Sequence, residues 1–117
     1  NSFLGRTRAE DNSTHGPLLL LRYEAKRSMA LKELEKLARE AAEKYGLLYV
    51  RIVHSIGDVK IAEASVLVQV VGIHRKESFE ASVDIMDRLK KRVPIWKQEL
   101  WQDGATWKDG AVVQPSA

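Results

Sequence analysis

Two stretches of the chain place apolar residues at three- and four-residue steps, the spacing that puts them on one face of an α-helix. The first stretch follows Ser28, a candidate N-terminal cap, and stops at Gly46, which suits the left-handed position after a helix. The second runs from Glu77 to about Lys91, where Pro94 ends it because proline cannot continue the helical hydrogen bonds. The pattern therefore predicts two main helices.

Shorter segments rich in β-branched and other apolar residues surround these helices and are typical of strands. They cover residues 1–7, 17–23, 47–54 and 65–73, and a hairpin of residues 95–101 and 106–108 turns at Asp103-Gly104. Residues 9–16 are polar and predict a loop, and Gly57-Asp58 predicts a turn. Because strands and helices alternate irregularly, we expect an α+β fold with a mixed or antiparallel sheet and two main helices.

The length of 117 residues predicts one compact domain, residues 1–117, with a flexible tail from about residue 109 to residue 117. The chain starts on a strand and without Met, so we expect a natural N-terminal segment to precede Asn1. No apolar run approaches the roughly 18 residues of a membrane span, and no signal-peptide pattern opens the chain. We therefore expect a cytosolic protein.

The content of ionisable residues limits the chemistry. The absence of cysteine excludes disulfides, thiolate nucleophiles and Cys-ligated metal sites. The three histidines are scattered without metal-ligand spacing, so we expect no metal and no cofactor. A net charge of +3 favours an anionic ligand or partner but is too small to require nucleic acid.

A basic cluster stands out near the end of the second helix. It contains five basic residues and no acid: Arg88, Lys90, Lys91, Arg92 and Lys97. Solvated cations at a helix C-terminus are one interpretation, since the helix dipole favours them there. However, Lys90 lies four residues after Met86 at the edge of the apolar face, and Lys97 directly follows Trp96. A lysine held beside apolar groups can serve in acid–base or nucleophilic chemistry, provided that both lysines face one pocket.

For the other candidates, a ligand-binding role stands beside a structural or solvent-exposed one. His74-Arg75 follows a buried strand and precedes a helix, which suits either an anion site or a surface pair. Arg6 and Arg8 follow a glycine and could bind phosphate or carboxylate, or be solvated. We interpret His54 as a satisfied structural histidine and His15 as a solvated loop residue. Core or interface packing is favoured over ligand stacking for the three tryptophans: Trp96, Trp101 and Trp107.

Seven segments, in this order and spacing, resemble the large subunit of molybdopterin synthase. They are FLGRTR (3–8), LRYEAKRSMA (21–30), HSIG (54–57), EAS (63–65), HRKESFEA (74–81), LKKRVPIWKQE (89–99) and DGATW (103–107). The resemblance runs from residue 3 to about residue 108, and the last three segments are the most specific.

The resemblance implies an α+β subunit that pairs with a second copy of itself and with a small ubiquitin-like subunit, as a heterotetramer. The C-terminal thiocarboxylate of the small subunit would enter a pocket on this chain. Two sulfurs would then be transferred in turn to cyclic pyranopterin monophosphate, giving the dithiolene of molybdopterin. The sulfur comes from the partner, so the absence of cysteine is no objection. No nucleic-acid or membrane partner is implied.

The same resemblance assigns roles to individual residues. Lys90 would lie nearest the thiocarboxylate and act as an acid–base or charge-stabilising group, and Lys97 would hold the anionic part of the substrate. Arg8 would bind phosphate or the carboxylate of the tail. His74 and Arg75 would reach the pocket of the neighbouring copy. The apolar pocket wall would be formed by two further residues, Phe3 and Met86.

Two positions depart from the family pattern, and two other functions stay open. The family often has arginine where this chain has Ser55, and the tail after Lys108 has no basic residue. One alternative is a non-enzymatic module that binds an acidic protein or RNA through the basic cluster. The other is an inactive family member kept for assembly, although the presence of both lysines argues against that.

Overall fold

The computed structural model describes residues 1–107, in which the predicted segments form eight strands and two helices of one α+β domain. In chain order the elements are β1 (Ser2–Arg6), β2 (Asp11–Asn12), β3 (Gly16–Ala25), α1 (Arg27–Tyr45), β4 (Leu47–His54), β5 (Gly57–Lys60), β6 (Ala64–Gly72), α2 (Arg75–Arg92), β7 (Ile95–Trp101) and β8 (Gly104–Trp107). The α+β class is confirmed. The predicted tail from about residue 109 lies outside the described residues.

Two antiparallel sheets organise the chain. β6 is the centre of a three-stranded sheet in the order β1-β6-β4. The second sheet has the order β2-β3-β7-β8, and β5 pairs with β3 as well. Every pairing between described strands is antiparallel, so the predicted mixed or antiparallel sheet is antiparallel.

The main core lies between the three-stranded sheet and the helices. Alternate residues of a strand face the same side, so Val66, Val68 and Val70 of β6 form one buried row. Side chains from both helices complete this core, chiefly Leu37, Ala41, Ala81, Ile85 and Leu89. Neither helix of the described residues is long and apolar enough to span a membrane.

A second, smaller core covers one face of the other sheet. Leu21, Tyr23, Val59 and Trp101 are buried there, and Ile95 packs against both cores. Trp101 thus has the packing role that the sequence favoured. The second core connects β3, β5 and β7. Since Ile95 packs against both cores, it links this core to the main one.

A network of ion pairs joins the two helices on their outer side. Arg92 contacts Glu40 at 2.7 Å and Glu33 at 3.3 Å. Arg88 contacts Glu40 at 3.3 Å and Asp84 at 3.1 Å. The hydrogen bond from Arg92, and to a smaller extent its charge, lowers the pKa of Glu40 below its ordinary value of 4.5. Two of the five basic residues of the cluster are therefore structural.

Three local predictions were wrong. The N-cap of α1 is Lys26, and Ser28 lies inside the first turn, so its side chain makes no cap. Gly57-Asp58 opens β5 instead of forming an isolated turn, because Gly57 at φ 88° pairs with Tyr23 and Asp58 binds Arg22. The loop at residues 9–16 contains the short strand β2, paired with β3. The predicted left-handed Gly46 after α1 is confirmed, with φ 61°.

Because α2 packs closely on the valine row of β6, we expect a cavity in this core to lower the free energy of unfolding strongly. Replacement of the fully buried Ile85 by alanine should lower the free energy of unfolding by about 2–5 kcal/mol. Val83→Ala on the exposed side of the same helix should change it by only about 0.5 kcal/mol. Urea unfolding followed by circular dichroism measures both, and equal losses would contradict this core.

The ion-pair network makes a separate prediction. Arg92→Gln should lower the urea midpoint, whereas Lys91→Gln, at an exposed neighbouring position, should leave it nearly unchanged. The difference should shrink in about 1 M salt, where the screening length falls to about 3 Å. Because the pKa of Glu40 is lowered in the folded chain, its contribution is present above pH 4.5 and is lost as the pH falls through the lowered value. A midpoint difference unaffected by salt and acid would rule out an electrostatic origin.

Candidate active site

The direction of β6 and α2 separates the predicted site residues into two groups. β6 ends at Gly72, and α2 starts at Arg75 and returns along the same sheet. A helix of 18 residues is about 27 Å long, which matches the length of β6 at about 3.3 Å per residue. We call the two ends of this layer the Ser65 end and the Gly72 end. The last turn of α2, with Lys90, lies at the Ser65 end.

β1 runs beside α2 in the same direction. The side-chain amide of Asn1 donates to the Ser82 hydroxyl at 3.3 Å. Phe3 lies two residues further along the same face of β1, and Met86 lies one turn further along α2. Two strand residues and one helical turn both advance about 6 Å, so Phe3 and Met86 are level with one another.

Gly5 lies two residues after Phe3 on β1, and Lys90 lies one turn after Met86 on α2. Gly5 and Lys90 are therefore also level with one another. Gly5 pairs with Val66, and a β-carbon at Gly5 would come within 2.7 Å of the Val66 side chain. This position therefore requires glycine, and the space beside Lys90 carries no side chain from β1. Lys90 is exposed and makes no ion pair with any other described residue.

Arg8 also lies at the Ser65 end. β1 ends at Arg6, whose guanidinium donates to the Ala62 carbonyl at 2.9 Å. The Thr7 amide then donates to the Glu63 carbonyl at 3.0 Å, which ties this segment to the residues just before β6. Arg8 follows directly and is exposed. Its guanidinium can therefore contribute to an anion site at this end.

Lys97 reaches the same end through the second sheet. It is the cross-strand partner of Tyr23, so the two side chains lie on the same face as the buried Trp101. The Tyr23 ring makes an edge contact with the ring of His54, with centroids 4.8 Å apart and planes at 78°. His54 is the last residue of β4 and pairs with Val66 at the start of β6. Lys97 is close enough to lower the pKa of His54 by its charge.

His74 and Arg75 lie at the opposite, Gly72 end. His74 is the N-cap residue of α2, makes no side-chain cap, and is exposed like Arg75. Sixteen helical residues separate His74 from Lys90, which corresponds to about 24 Å along the axis. Within one chain, therefore, the fold brings Lys90, Lys97 and Arg8 to one end, with Phe3 and Met86 beside them, and leaves His74 and Arg75 at the other.

The faces of α2 explain why neighbouring bases have different surroundings. Successive helical residues turn by about 100°, so residues two apart point to nearly opposite sides. Arg88 and Arg92 lie on the stripe that faces α1 and its acids. Lys90 lies between them in sequence but on the stripe of Ser82 and Met86, facing β1. The sequence could not separate the two sets without the position of α1.

The structure adds residues that the sequence did not assign to the site. Tyr23 is the cross-strand partner of Lys97, His54 is within reach of the Lys97 charge, and Ser65 lies near the Tyr23 hydroxyl. Burial raises the pKa of Tyr23, and the bond with Ser65 opposes this. Their only sequence signal was their presence in the LRYEA, HSIG and EAS segments. His15, expected to be solvated, instead contacts the Asp103 carbonyl at 2.8 Å.

Residues 1–107 contain no group of three or more His, Cys, Asp or Glu residues that could hold a metal ion. The chemistry at the Ser65 end is that of fixed ammonium and guanidinium groups beside apolar side chains. Such groups bind anions and stabilise developing negative charge.

The sequence is similar to a protein family and to individual proteins of known name. The family model described as MoaE protein matches residues 1–92. A molybdopterin synthase catalytic subunit from Pyrococcus abyssi is 40% identical over 108 residues, which is 92% of this chain and 72% of that protein. A protein of the same name from Staphylococcus carnosus is 45% identical over 87 residues, 74% of this chain and 58% of the relative. This chain is therefore shorter than either of these relatives.

Solved structures agree with the sequence relatives. Molybdopterin synthase from Staphylococcus aureus superposes with a TM-score of 0.86 at 36% identity, over 93% of this chain and 78% of that one. A complex of subunits 1 and 2 of the molybdopterin-converting factor from Helicobacter pylori gives a TM-score of 0.74 at 27% identity, over 92% of this chain and 68% of that one. The chain therefore belongs to the MoaE protein family, as do its relatives from Pyrococcus abyssi and Staphylococcus carnosus, which are named molybdopterin synthase catalytic subunits.

Proposed function

We propose that this protein is the sulfurtransferase subunit of a molybdopterin synthase, acting in the cytosol on cyclic pyranopterin monophosphate. The sulfur is supplied by the C-terminal thiocarboxylate of a small ubiquitin-like subunit. The observation that carries this proposal is the meeting of Lys90, Lys97 and Arg8 at the Ser65 end, reached from three separate segments of the chain. Family membership supports it independently.

The substrate explains why cations and an apolar wall occur together. A cyclic phosphate on a fused ring system needs fixed positive charge for the phosphate and apolar contact for the rings. Phe3 and Met86 supply apolar side chains level with one another, one helical turn before Lys90. Lys90 is placed to stabilise charge at the reacting carbons or on a leaving phosphate oxygen, and Lys97 and Arg8 hold the anionic groups.

The small subunit is the second component. The Helicobacter pylori relative was solved as a complex of subunits 1 and 2, which supports such a partner here. A C-terminal tail that ends in a thiocarboxylate is narrow and anionic. It can enter beside Gly5, where β1 contributes no side chain next to Lys90. Arg8, at the same end, is placed to bind its carboxylate.

A second copy of the chain would complete the site. His74 and Arg75 lie about 24 Å from Lys90 in one chain, so they can serve only a neighbouring copy. The face of the three-stranded sheet opposite the helices is open and apolar, with cross-strand rows that include Leu4, Leu67 and Val53, and Val71 with Tyr49. Packing of two such faces about a two-fold axis, with the β6 strands antiparallel, places each Gly72 end near the partner's Ser65 end.

The alternative of an acidic-protein or RNA-binding module is less well supported. It relies on the charge of the basic cluster, but two of the five bases, Arg88 and Arg92, already pair with carboxylates of the two helices. The second alternative is an inactive assembly subunit. Such a subunit would not need Lys90 to lie beside Gly5, on the face of α2 that points away from those carboxylates.

The proposed chemistry predicts a large effect of one lysine. With a thiocarboxylated small subunit and cyclic pyranopterin monophosphate, wild-type protein should form the two-sulfur product, detected by mass spectrometry. Lys90→Ala should reduce the rate by about 10²–10³, the usual cost of removing one charge-stabilising group. Lys97→Ala should also reduce it, with a larger effect on substrate affinity.

Lys91→Ala is the matched control, because Lys91 is an exposed neighbour on another face of the same helix end. It should retain the wild-type rate, and all three variants should still bind the small subunit. Equal losses for Lys90→Ala and Lys91→Ala would indicate general electrostatics instead of a specific site. A wild-type complex that binds the small subunit but forms no product would overturn the proposed reaction.

The shared site predicts complementation between two inactive variants. Lys90→Ala and His74→Ala homodimers should each lose activity, but re-paired mixtures should recover about a quarter of the wild-type rate. Random pairing makes half of the dimers mixed, and each mixed dimer holds one site with both residues intact. Mixtures that stay inactive, although mass spectrometry shows mixed dimers, would place His74 and Lys90 in the same chain's site or outside the chemistry.

A further inference from the structure

We propose that His54 is a positioning residue for Lys97. In this role His54 is a neutral imidazole, and its Nε2 accepts a hydrogen bond from the Lys97 ammonium group. This inference rests on the proposed function, because it concerns how Lys97 is held for the reaction. It goes beyond the site residues implied by the family resemblance, which do not include His54, and beyond the structural role that the sequence pattern alone gave to this histidine.

The tautomer of His54 is fixed by its own backbone. Its Nδ1 lies 2.7 Å from the Ser55 carbonyl oxygen. A carbonyl oxygen can only accept a hydrogen bond, so Nδ1 carries the proton, and in the neutral ring Nε2 is left with a lone pair. The edge contact with Tyr23 holds the ring plane. The imidazole is therefore a hydrogen-bond acceptor in a defined orientation.

The surroundings keep this ring neutral. Burial lowers the pKa of His54 below its ordinary value of 6.5, the Ser55 carbonyl opposes the shift, and the charge of Lys97 adds to it. The groups that face His54 are Tyr23 from β3, Lys97 from β7 and the Ser55 backbone after β4. Tyr23 brings no charge, since its ordinary pKa is 10.0 and burial raises the pKa further. None of the groups that shift the pKa of His54 is a carboxylate.

Lys97 and His54 are held together by the strand register. Lys97 and Tyr23 are cross-strand partners on the face that carries the second core, and Tyr23 contacts His54 directly. A lysine side chain has several rotatable bonds, so a fixed acceptor beside it narrows the positions of its ammonium group. Protonation of His54 would replace this acceptor with a second positive charge. The position of Lys97 should therefore be lost as the pH falls through the pKa of His54.

Two substitutions separate this role from simple packing. Glutamine can place an acceptor where Nε2 lies, whereas asparagine can keep the Nδ1 donor to Ser55 but has no group at the Nε2 position. In the complete complex, His54→Gln should retain most of the activity, and His54→Asn should lower kcat on the order of tenfold, the value of one hydrogen bond to a charged group. The acid side of the wild-type pH profile, below pH 6.5, should flatten in His54→Gln.

His15→Gln is the matched control, since His15 also contacts a carbonyl through Nδ1 but lies in the loop beside Asp103. It should leave both rate and pH profile unchanged. Thermal unfolding must show that each variant is folded. If His54→Gln and His54→Asn have equal rates and keep the wild-type acid limb, His54 is structural and the inference is overturned, while product formation by the wild type leaves the proposed function intact.

A second measurement needs no substrate. Titration of the His54 imidazole by NMR in the isolated chain should give a higher pKa in Lys97→Met than in the wild type, because one neighbouring charge has been removed. An unchanged pKa would overturn the coupling between the two residues. If the wild type forms no product at all, the proposed function fails, and this titration alone decides whether His54 and Lys97 interact.

Discussion

The packing of α2 against β6 is the interaction on which the site depends. The row of Val66, Val68 and Val70 can be removed from water only by a helix lying along the strand, and α2 supplies Ile85 and Leu89 for this. Because α2 starts where β6 ends, it must return antiparallel to the strand. The same burial that stabilises the fold therefore carries Lys90 back to the Ser65 end, beside Gly5 and Arg8.

Helical geometry then decides which basic residues are available. The stripe of Arg88 and Arg92 faces α1, where Glu40 and Glu33 form ion pairs with it. The stripe of Lys90 faces β1, which presents Phe3 and then Gly5. Two nearly opposite stripes of one helix thus differ in their surroundings: one joins the helices, and the other supplies a cation that makes no ion pair with a described carboxylate. A net charge or a count of lysines could not show this division.

The sequence predicted the periodic features well, because period and burial are local properties. Both helices, the left-handed Gly46 and the hairpin that follows Pro94 are confirmed. Ser28 was wrong because residue type indicates a cap but does not fix which turn begins the helix. The strand at Gly57 was missed because its pairing with Tyr23 joins segments far apart in the chain. The contact between His54 and Tyr23 was beyond prediction for the same reason.

The resemblance to the family named the site residues, and the fold explains why they cannot all act within one chain. A single α/β layer has two ends, and a strand–helix unit of this length separates them by about 27 Å. Residues at the entry of α2, such as His74, and residues at its exit, such as Lys90, cannot contact one small substrate from the same copy. Two copies with antiparallel layers remove this restriction, because the entry of one helix then lies beside the exit of the other. The site that we propose, with His74 and Lys90 at one substrate, therefore requires two copies of the chain, and the open apolar face of the β1-β6-β4 sheet is the surface that we propose for their contact.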